Sequence, residues 1–239
     1  MALREQLIEY RDGETRLQGF LCHDDARSGP LPAVLISHAW GGRDDFVERK
    51  ARRLAWHGYA AFALDMYGNG RRGSSPEENQ ALMAPFVQDR ALLARRINAA
   101  LVALKGLPPV DARRVAAMGF CFGGMCVLDL ARSGAELRGV VSFHGLLKPS
   151  GLAPAARIAA KILMLHGYDD PLAPPDDVLA VAREFTQAGA DWQLHAYGHT
   201  LHSFTNPAAN MPQNGMQYSD RADRRSWHAL LQFLEEVLR

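Results

Sequence analysis

Cys121 stands at the centre of the run GFCFGG, residues 119–124, which could present a reactive thiol. Four apolar residues, 115–118, precede this run, and a helix-like pattern follows it. Strand, tight turn and helix form the G-x-nucleophile-x-G pattern, in which two glycines prevent collisions between the strand and the helix. The positive end of that helix would favour thiolate over thiol. The pattern predicts a nucleophilic cysteine, and the alternative is a small buried residue beside a glycine-rich turn.

Two later segments could supply the acid and the base that a nucleophile requires. Asp169 and Asp170 follow an apolar strand pattern, so either carboxylate could orient a histidine while the other serves the local turn. His199 and His202 follow the last predicted strand. Nucleophile, acid and histidine in this chain order are typical of α/β-hydrolases. A zinc site needs about three or four ligands, and the two histidines alone do not provide them, so we expect no metal.

Alternating strand and helix patterns must position these groups. Residues 6–10 and 16–22 flank Asp12-Gly13 and predict an antiparallel hairpin. The later alternation predicts a mainly parallel sheet with helices on both faces, in one domain over 1–239. We predict strands at 33–37, 60–64, 115–118, 139–143, 161–165 and 192–197, helices at 46–56, 81–104, 123–132, 176–188 and 218–238, loops at 67–79 and 198–216, and mixed loop and short helix at 144–160.

The composition excludes several classes of function. The chain has 239 residues, 22% of them charged, and a net charge of +1, so no global field attracts nucleic acid or a membrane surface. It has no apolar run of the ~18 residues that a membrane span needs, and its first residues lack the apolar core of a secretory signal. Three cysteines form no disulfide framework. We expect a cytoplasmic monomer or homodimer.

The chain resembles the dienelactone hydrolase (carboxymethylenebutenolidase-like) family from about residue 10 to 238. The resemblance rests on the run at 119–124, an H-G-x-x-D-x-x-x-P pattern at 166–174, an H-S-F ending at 202–204, and the strand pattern at 59–67. It implies an α/β-hydrolase fold with Cys121 as nucleophile, His202 as base and Asp170 as the orienting acid. It also implies an oxyanion hole formed by the backbone N–H groups of Ala39 and Phe122.

The sequence departs from the family at two positions. His38 stands where well-studied members carry a glutamate that contacts the cysteine. A cationic His38 would favour the thiolate form of Cys121, and the alternative is that His38 caps a strand or lines the pocket. Asn206 stands where the dienelactone-cleaving members have a carboxylate-binding arginine, so we do not expect dienelactone to be the natural substrate. Arg71 or Arg72 could supply a replacement charge.

The resemblance implies a hydrolase of a carboxylic ester, lactone or thioester that acts through an acyl-thioenzyme without a cofactor. Substrates of open parallel sheets bind above the carboxyl ends of the strands, where an aromatic wall is expected. The alternatives are a C–C bond hydrolase or a peptidase on the same scaffold, and a non-catalytic binding protein. The residues predicted to form the aromatic wall are Trp40, Tyr67, Phe122, His144 and Phe204.

Overall fold

The computed structural model describes residues 2–152 and 157–239, and its main feature is one eight-stranded sheet. Its strands are β1 (Leu3–Asp12), β2 (Thr15–Asp24), β3 (Leu31–Ser37), β4 (Ala60–Ala63), β5 (Val110–Phe120), β6 (Gly139–Phe143), β7 (Lys161–Gly167) and β8 (Trp192–Tyr197). They lie in the order β1-β2-β4-β3-β5-β6-β7-β8. The pairs β1–β2 and β2–β4 are antiparallel, and the others are parallel. The predicted hairpin and the mainly parallel sheet are therefore confirmed.

Helices cover both faces of this sheet, because successive side chains of a strand point to opposite sides. On β3, Leu35 faces one core while Val34 and Ile36 face the other. The helices are α1 (Asp45–Trp56), α2 (Pro76–Gln88), α3 (Arg90–Lys105), α4 (Phe122–Arg132), α5 (Pro175–Gln187) and α6 (Asp220–Val237). The first core holds buried residues of α2 to α5, and the second holds those of α1 and α6. Within the described ranges, no helix is both long and apolar enough to cross a membrane.

The prediction of a single helix over 81–104 was wrong. Asp89 separates α2 from α3, with φ −116° and ψ 91°, outside the helical region. Its backbone N–H donates to the carbonyl of Pro85 at the end of α2. Its side chain caps α3 by accepting from the N–H of Leu92 at 2.9 Å. A capping aspartate within a continuous helical pattern therefore starts a new helix.

Two predicted loops also differ from the structure. The loop at 67–79 is shorter, because Ser75 caps α2, which starts at Pro76. The predicted loop at 198–216 contains most of a small antiparallel pair, β9 (Asn210–Met211) and β10 (Met216–Gln217). The described parts of 144–160 contain no helix, and residues 153–156 lie outside the described residues.

Candidate active site

Cys121 occupies a strained turn between β5 and α4. Its φ is 55° and its ψ is −116°, a conformation that costs a non-glycine residue about 1–3 kcal/mol. A Cβ atom on Gly119 would lie 2.0 Å from the carbonyl oxygen of Gly123, and one on Gly123 would lie 2.3 Å from that of Ser37. Both contacts are with backbone, so neither can be relieved by a side-chain movement. The requirement for glycine at these two positions, predicted from the sequence, is confirmed.

Asp170 and His202 form a buried pair on the loops that follow β7 and β8. Nδ1 of His202 donates to Oδ2 of Asp170 at 2.7 Å, and Oδ1 of Asp170 accepts from the N–H of Leu172 at 2.8 Å. The competing pair, Asp169 and His199, is exposed to solvent, with 3.9 Å between Nδ1 and Oδ2. The structure therefore brings together the acid and the histidine that the family resemblance selects.

Two neighbours, Cys121 and Asp170, influence the protonation of His202. Burial alone would lower the pKa of the imidazole, but a thiolate at Cys121 and the hydrogen bond to Asp170 raise this pKa to about 10. Nε2 of His202 has no hydrogen bond of ordinary geometry to any described residue. One ring nitrogen is therefore held by the carboxylate, while the other remains free to exchange a proton.

The backbone of His202 is held by the segment that contains β10. Its N–H donates to the carbonyl of Gly215 at 2.8 Å, and its carbonyl accepts from the N–H of Gln217 at 3.0 Å. Gly215 has φ +75°, and a Cβ atom there would lie 2.1 Å from Cγ of Pro171, the residue after Asp170. The loops that carry the acid and the base are therefore packed against a common segment.

Cys121 and His202 open into one cavity of about 370 Å³ above the carboxyl ends of the strands. This volume is at the small end of the range for small-molecule sites. Most of the lining is apolar or aromatic, and the described residues that line the cavity include no lysine or arginine. The lining consists of Ala39, Trp40, Asp44, Phe46, Gln80, Met83, Phe120, Cys121, His144, Leu146, Leu172, His202, Ser203, Asn206, Asn214 and Met216.

The backbone N–H groups of Ala39 and Phe122 are available for an oxyanion. Neither donates to an acceptor among the described residues. Phe122 is the first residue of α4, where an N–H has no partner within the helix. Ala39 follows β3 and lines the cavity beside Cys121. Two unpaired donors next to a nucleophile suit the stabilisation of a developing negative charge.

Of the two roles left open for His38, the structure favours the structural one over a cationic group that tunes Cys121. Its Nδ1 lies 2.6 Å from the carbonyl oxygen of Ala39, and its Nε2 accepts from the N–H of Met66 at 3.2 Å. Burial lowers the pKa of this imidazole, and an acceptor nitrogen carries no proton. His38 is therefore neutral and joins two backbone segments, which argues against a cationic group beside Cys121.

Of the predicted substrate-binding residues, Trp40 and His144 line the cavity. Tyr67 does not line it: its ring is buried, and its hydroxyl donates to the carbonyl of Trp40 at 2.7 Å. Phe204 does not line it either, because its buried ring packs edge-on behind His144 at 5.1 Å. Arg71 is exposed, and its guanidinium donates to the carbonyl of Tyr67 rather than entering the cavity.

Phe122 does not line the cavity with its ring, which is buried and packs against Tyr67 and Phe86. Several other lining residues were not predicted from the sequence. Phe120 could have been inferred, because it directly precedes the nucleophile. Asp44 and Met83 carried no such signal, since helices and loops distant along the chain bring them to the cavity.

The described residues include no group of three or more histidine, cysteine, aspartate or glutamate side chains that could hold a metal ion. The local chemistry is that of a thiol, an imidazole, a carboxylate and backbone amides. These are the components of nucleophilic acyl transfer.

Comparisons with known proteins agree with this arrangement. The family model described as "Dienelactone hydrolase family" matches residues 17–238. A solved structure named m3DLH is 40% identical, with full coverage of both chains and a TM-score of 0.96. A dienelactone hydrolase-like promiscuous phosphotriesterase from metagenomic libraries is 39% identical, also with full coverage and a TM-score of 0.96. An uncharacterized protein of Caenorhabditis elegans is 38% identical over 148 residues, which cover 61% of this chain and 94% of that protein.

The match spans both the turn at Cys121 and the loops that carry Asp170 and His202. The chain has the α/β-hydrolase fold and belongs to the dienelactone hydrolase family.

Proposed function

We propose that the protein hydrolyses a carboxylic ester, lactone or thioester through a covalent acyl-thioenzyme on Cys121. The observation that supports this most directly is the 2.7 Å hydrogen bond between His202 and Asp170, in the cavity that also contains Cys121. A buried carboxylate that orients one nitrogen of an imidazole leaves the other nitrogen for proton transfer.

In the proposed acylation step, the thiolate of Cys121 attacks the carbonyl carbon and the π electrons move onto the oxygen. The N–H groups of Ala39 and Phe122 donate hydrogen bonds to this oxyanion, and such a donor is worth ~10²–10³ in rate. When the tetrahedral intermediate collapses, the bond to the leaving oxygen or sulfur breaks. That atom takes the proton from Nε2 of His202.

Deacylation requires His202 to act as a base. Acylation removes the thiolate charge that contributes to the raised pKa of His202. The pKa therefore falls, and a larger fraction of the imidazole is neutral at this stage. Nε2 then accepts a proton from water, and the hydroxide attacks the thioester carbonyl. The acid leaves, and the thiolate and the imidazolium are restored.

A burst-phase assay with p-nitrophenyl acetate and an aryl lactone tests the proposal. We expect a stoichiometric burst of p-nitrophenolate, followed by slower turnover, and an acetyl adduct on Cys121 by mass spectrometry. Cys121→Ala should remove burst and adduct. Cys126→Ala is the matched control, because Cys126 is a fully buried thiol in α4 and should not alter the adduct site.

Equal progress curves for the wild type and Cys121→Ala would contradict the proposal. Labelling of Cys121 by a substrate-like electrophile without ester turnover would favour a C–C bond hydrolase or a peptidase. A protein that binds the ester but forms no adduct would correspond to the non-catalytic binding alternative.

A second candidate is hydrolysis of an uncharged phosphotriester. The 39% identical structure is described as a promiscuous phosphotriesterase, and the described lining of the cavity here also lacks cationic side chains that would suit an anionic substrate. Attack by the thiolate at phosphorus would expel the aryloxide, and water would then cleave the phosphorus–sulfur bond. Release of p-nitrophenolate from diethyl p-nitrophenyl phosphate by the wild type, and none by Cys121→Ala, is the expected result.

A further inference from the structure

Apart from the proposed catalytic residues, the described lining of the cavity carries negative charge only. Among the described lining residues, the titratable side chains are those of Asp44, Cys121, His144 and His202. His144 also lines the cavity, but burial lowers its pKa well below the usual value, so its ring is neutral. The fixed charge on the cavity wall is therefore a carboxylate.

Three arginines, Arg43, Arg71 and Arg72, form hydrogen bonds and ion pairs with other groups. The guanidinium of Arg43 donates to the Gln18 backbone at 3.0 Å and pairs with Glu48. Arg72 also pairs with Glu48, at 3.3 Å, and Arg71 donates to a backbone carbonyl. Their side chains are held by these contacts, and none of the three arginines lines the cavity.

Lys50 is the cation behind the apolar wall. Its ammonium lies 5.0 Å from the ring centroid of Phe46 and 5.8 Å from that of Phe120, two rings that line the cavity. The same ammonium pairs with Asp223 at 3.4 Å. Its charge is therefore separated from the cavity by two rings and balanced by a carboxylate.

Asp44 also occupies the positive end of α1. Its side chain accepts from the N–H of Val47 at 3.2 Å and so caps the helix. A helix N-terminus that faced the cavity without such a cap would attract an anion. Here a carboxylate already satisfies that end and presents negative charge to the cavity.

We infer that Asp44 is a specificity-determining residue that excludes anionic substrates, so that the site takes uncharged esters or lactones. This inference rests on the proposed hydrolase function. A substrate with a free carboxylate would bring a like charge next to Asp44, and no lysine or arginine of the described lining could compensate for it. Apolar groups would instead pack against side chains such as Trp40, Met83 and Leu172.

The inference can be tested with two substrates that share a chromophore, p-nitrophenyl acetate and 3-carboxy-4-nitrophenyl acetate. We expect the wild type to prefer the uncharged ester. Asp44→Asn should raise the ratio of kcat/KM for the anionic ester to that for the neutral ester by roughly tenfold, the scale of one removed like charge near a protein surface. Asparagine is an equally good helix cap, so α1 should remain intact.

Asp45→Asn is the matched control. Asp45 is the next residue, is exposed and does not line the cavity, so its neutralisation should leave the ratio unchanged. The same ratio in the wild type and Asp44→Asn would overturn the inference, as would an equal rise in both variants.

A second measurement does not depend on turnover. Cys121 is partly exposed while Cys22 and Cys126 are fully buried, so alkylation reports on Cys121, and Cys121→Ala gives the background. We expect Asp44→Asn, and not Asp45→Asn, to raise the rate ratio of iodoacetate to iodoacetamide several-fold. If the alkylation ratio responds in this way but neither ester is hydrolysed, the charge selection stands and the proposed hydrolase function fails. If both esters are hydrolysed but neither ratio responds, the function stands and the inference fails.

Discussion

Two buried histidines near the nucleophile, His202 and His38, have opposite protonation states. Both rings are fully buried, and in both Nδ1 lies 2.6–2.7 Å from an oxygen. For His202 this oxygen belongs to a carboxylate and Nε2 has no hydrogen-bond partner among the described residues. For His38 it belongs to a backbone carbonyl, and Nε2 accepts an N–H. The pKa is raised to about 10 in His202 and lowered in His38. Burial alone therefore does not determine the charge of a histidine; the charge of its partners does.

The largest expected effect comes from removing the carboxylate that distinguishes the two histidines. Asp170→Asn should lower kcat for an activated ester by about 10⁴-fold, because an amide no longer holds the imidazole in the productive tautomer. Asp169→Asn, which neutralises the neighbouring exposed carboxylate, should leave kcat within a few-fold of wild type. Similar losses in both variants would show that the distinction between the two aspartates is wrong.

A second effect, on the pKa of His202 rather than on kcat, should follow from removing the thiol. In Cys121→Ala the pKa of His202 should fall well below that in the wild type, since one of the charges that raise it is gone. Titration of the imidazole by NMR measures this change directly. An unchanged pKa would show that Asp170, and not Cys121, stabilises the protonated imidazole of His202.

The same shift has a consequence for stability. Because the folded pKa of His202 is raised, its protonation stabilises the fold fully below the unfolded pKa of ~6.5, and this stabilisation is lost as pH rises through about 10. In Cys121→Ala the loss should begin at a lower pH. Urea unfolding of both proteins between about pH 6 and about pH 10, a range that spans the unfolded and folded pKa values, measures this difference in stability.

The smallest expected effect on the chemistry concerns His38. His38→Gln should lower the free energy of unfolding by about 1–3 kcal/mol, because a buried hydrogen-bonding partner is lost. It should leave the pH profile of Cys121 alkylation by iodoacetamide unchanged, because the native ring is neutral. A displaced profile would instead restore His38 as a charged group that acts on the thiol.

The elements of the sheet were predictable because alternation of strands and helices is a local pattern. The β6 and β8 bounds agree with the sequence analysis, and so does the turn at Cys121. The break at Asp89 was missed, since a capping aspartate looks the same as a solvated residue on a helix surface. Whether one helix or two forms depends on packing against the sheet, which local propensity does not contain.

The acid and the histidine of the candidate site were selected by motif, but the wall of the cavity was only partly predicted. Tyr67 and Phe204 follow strands as Trp40 does, yet their rings point into the core. Side-chain direction after a strand depends on the turn that follows, and the sequence does not specify it. Asp44 was missed for a related reason, because its role depends on where α1 begins relative to the cavity.

The backbone pairing of His202 with the segment around β10 makes the histidine amide a reporter of local opening. Its N–H is hydrogen-bonded to Gly215, and the N–H of Gln217 is hydrogen-bonded to its carbonyl. Hydrogen exchange at these two amides requires the segment to detach, and detachment would release the ring that Asp170 holds. The exchange rate of a single backbone amide thus measures how often the site comes apart while the sheet beneath it stays folded.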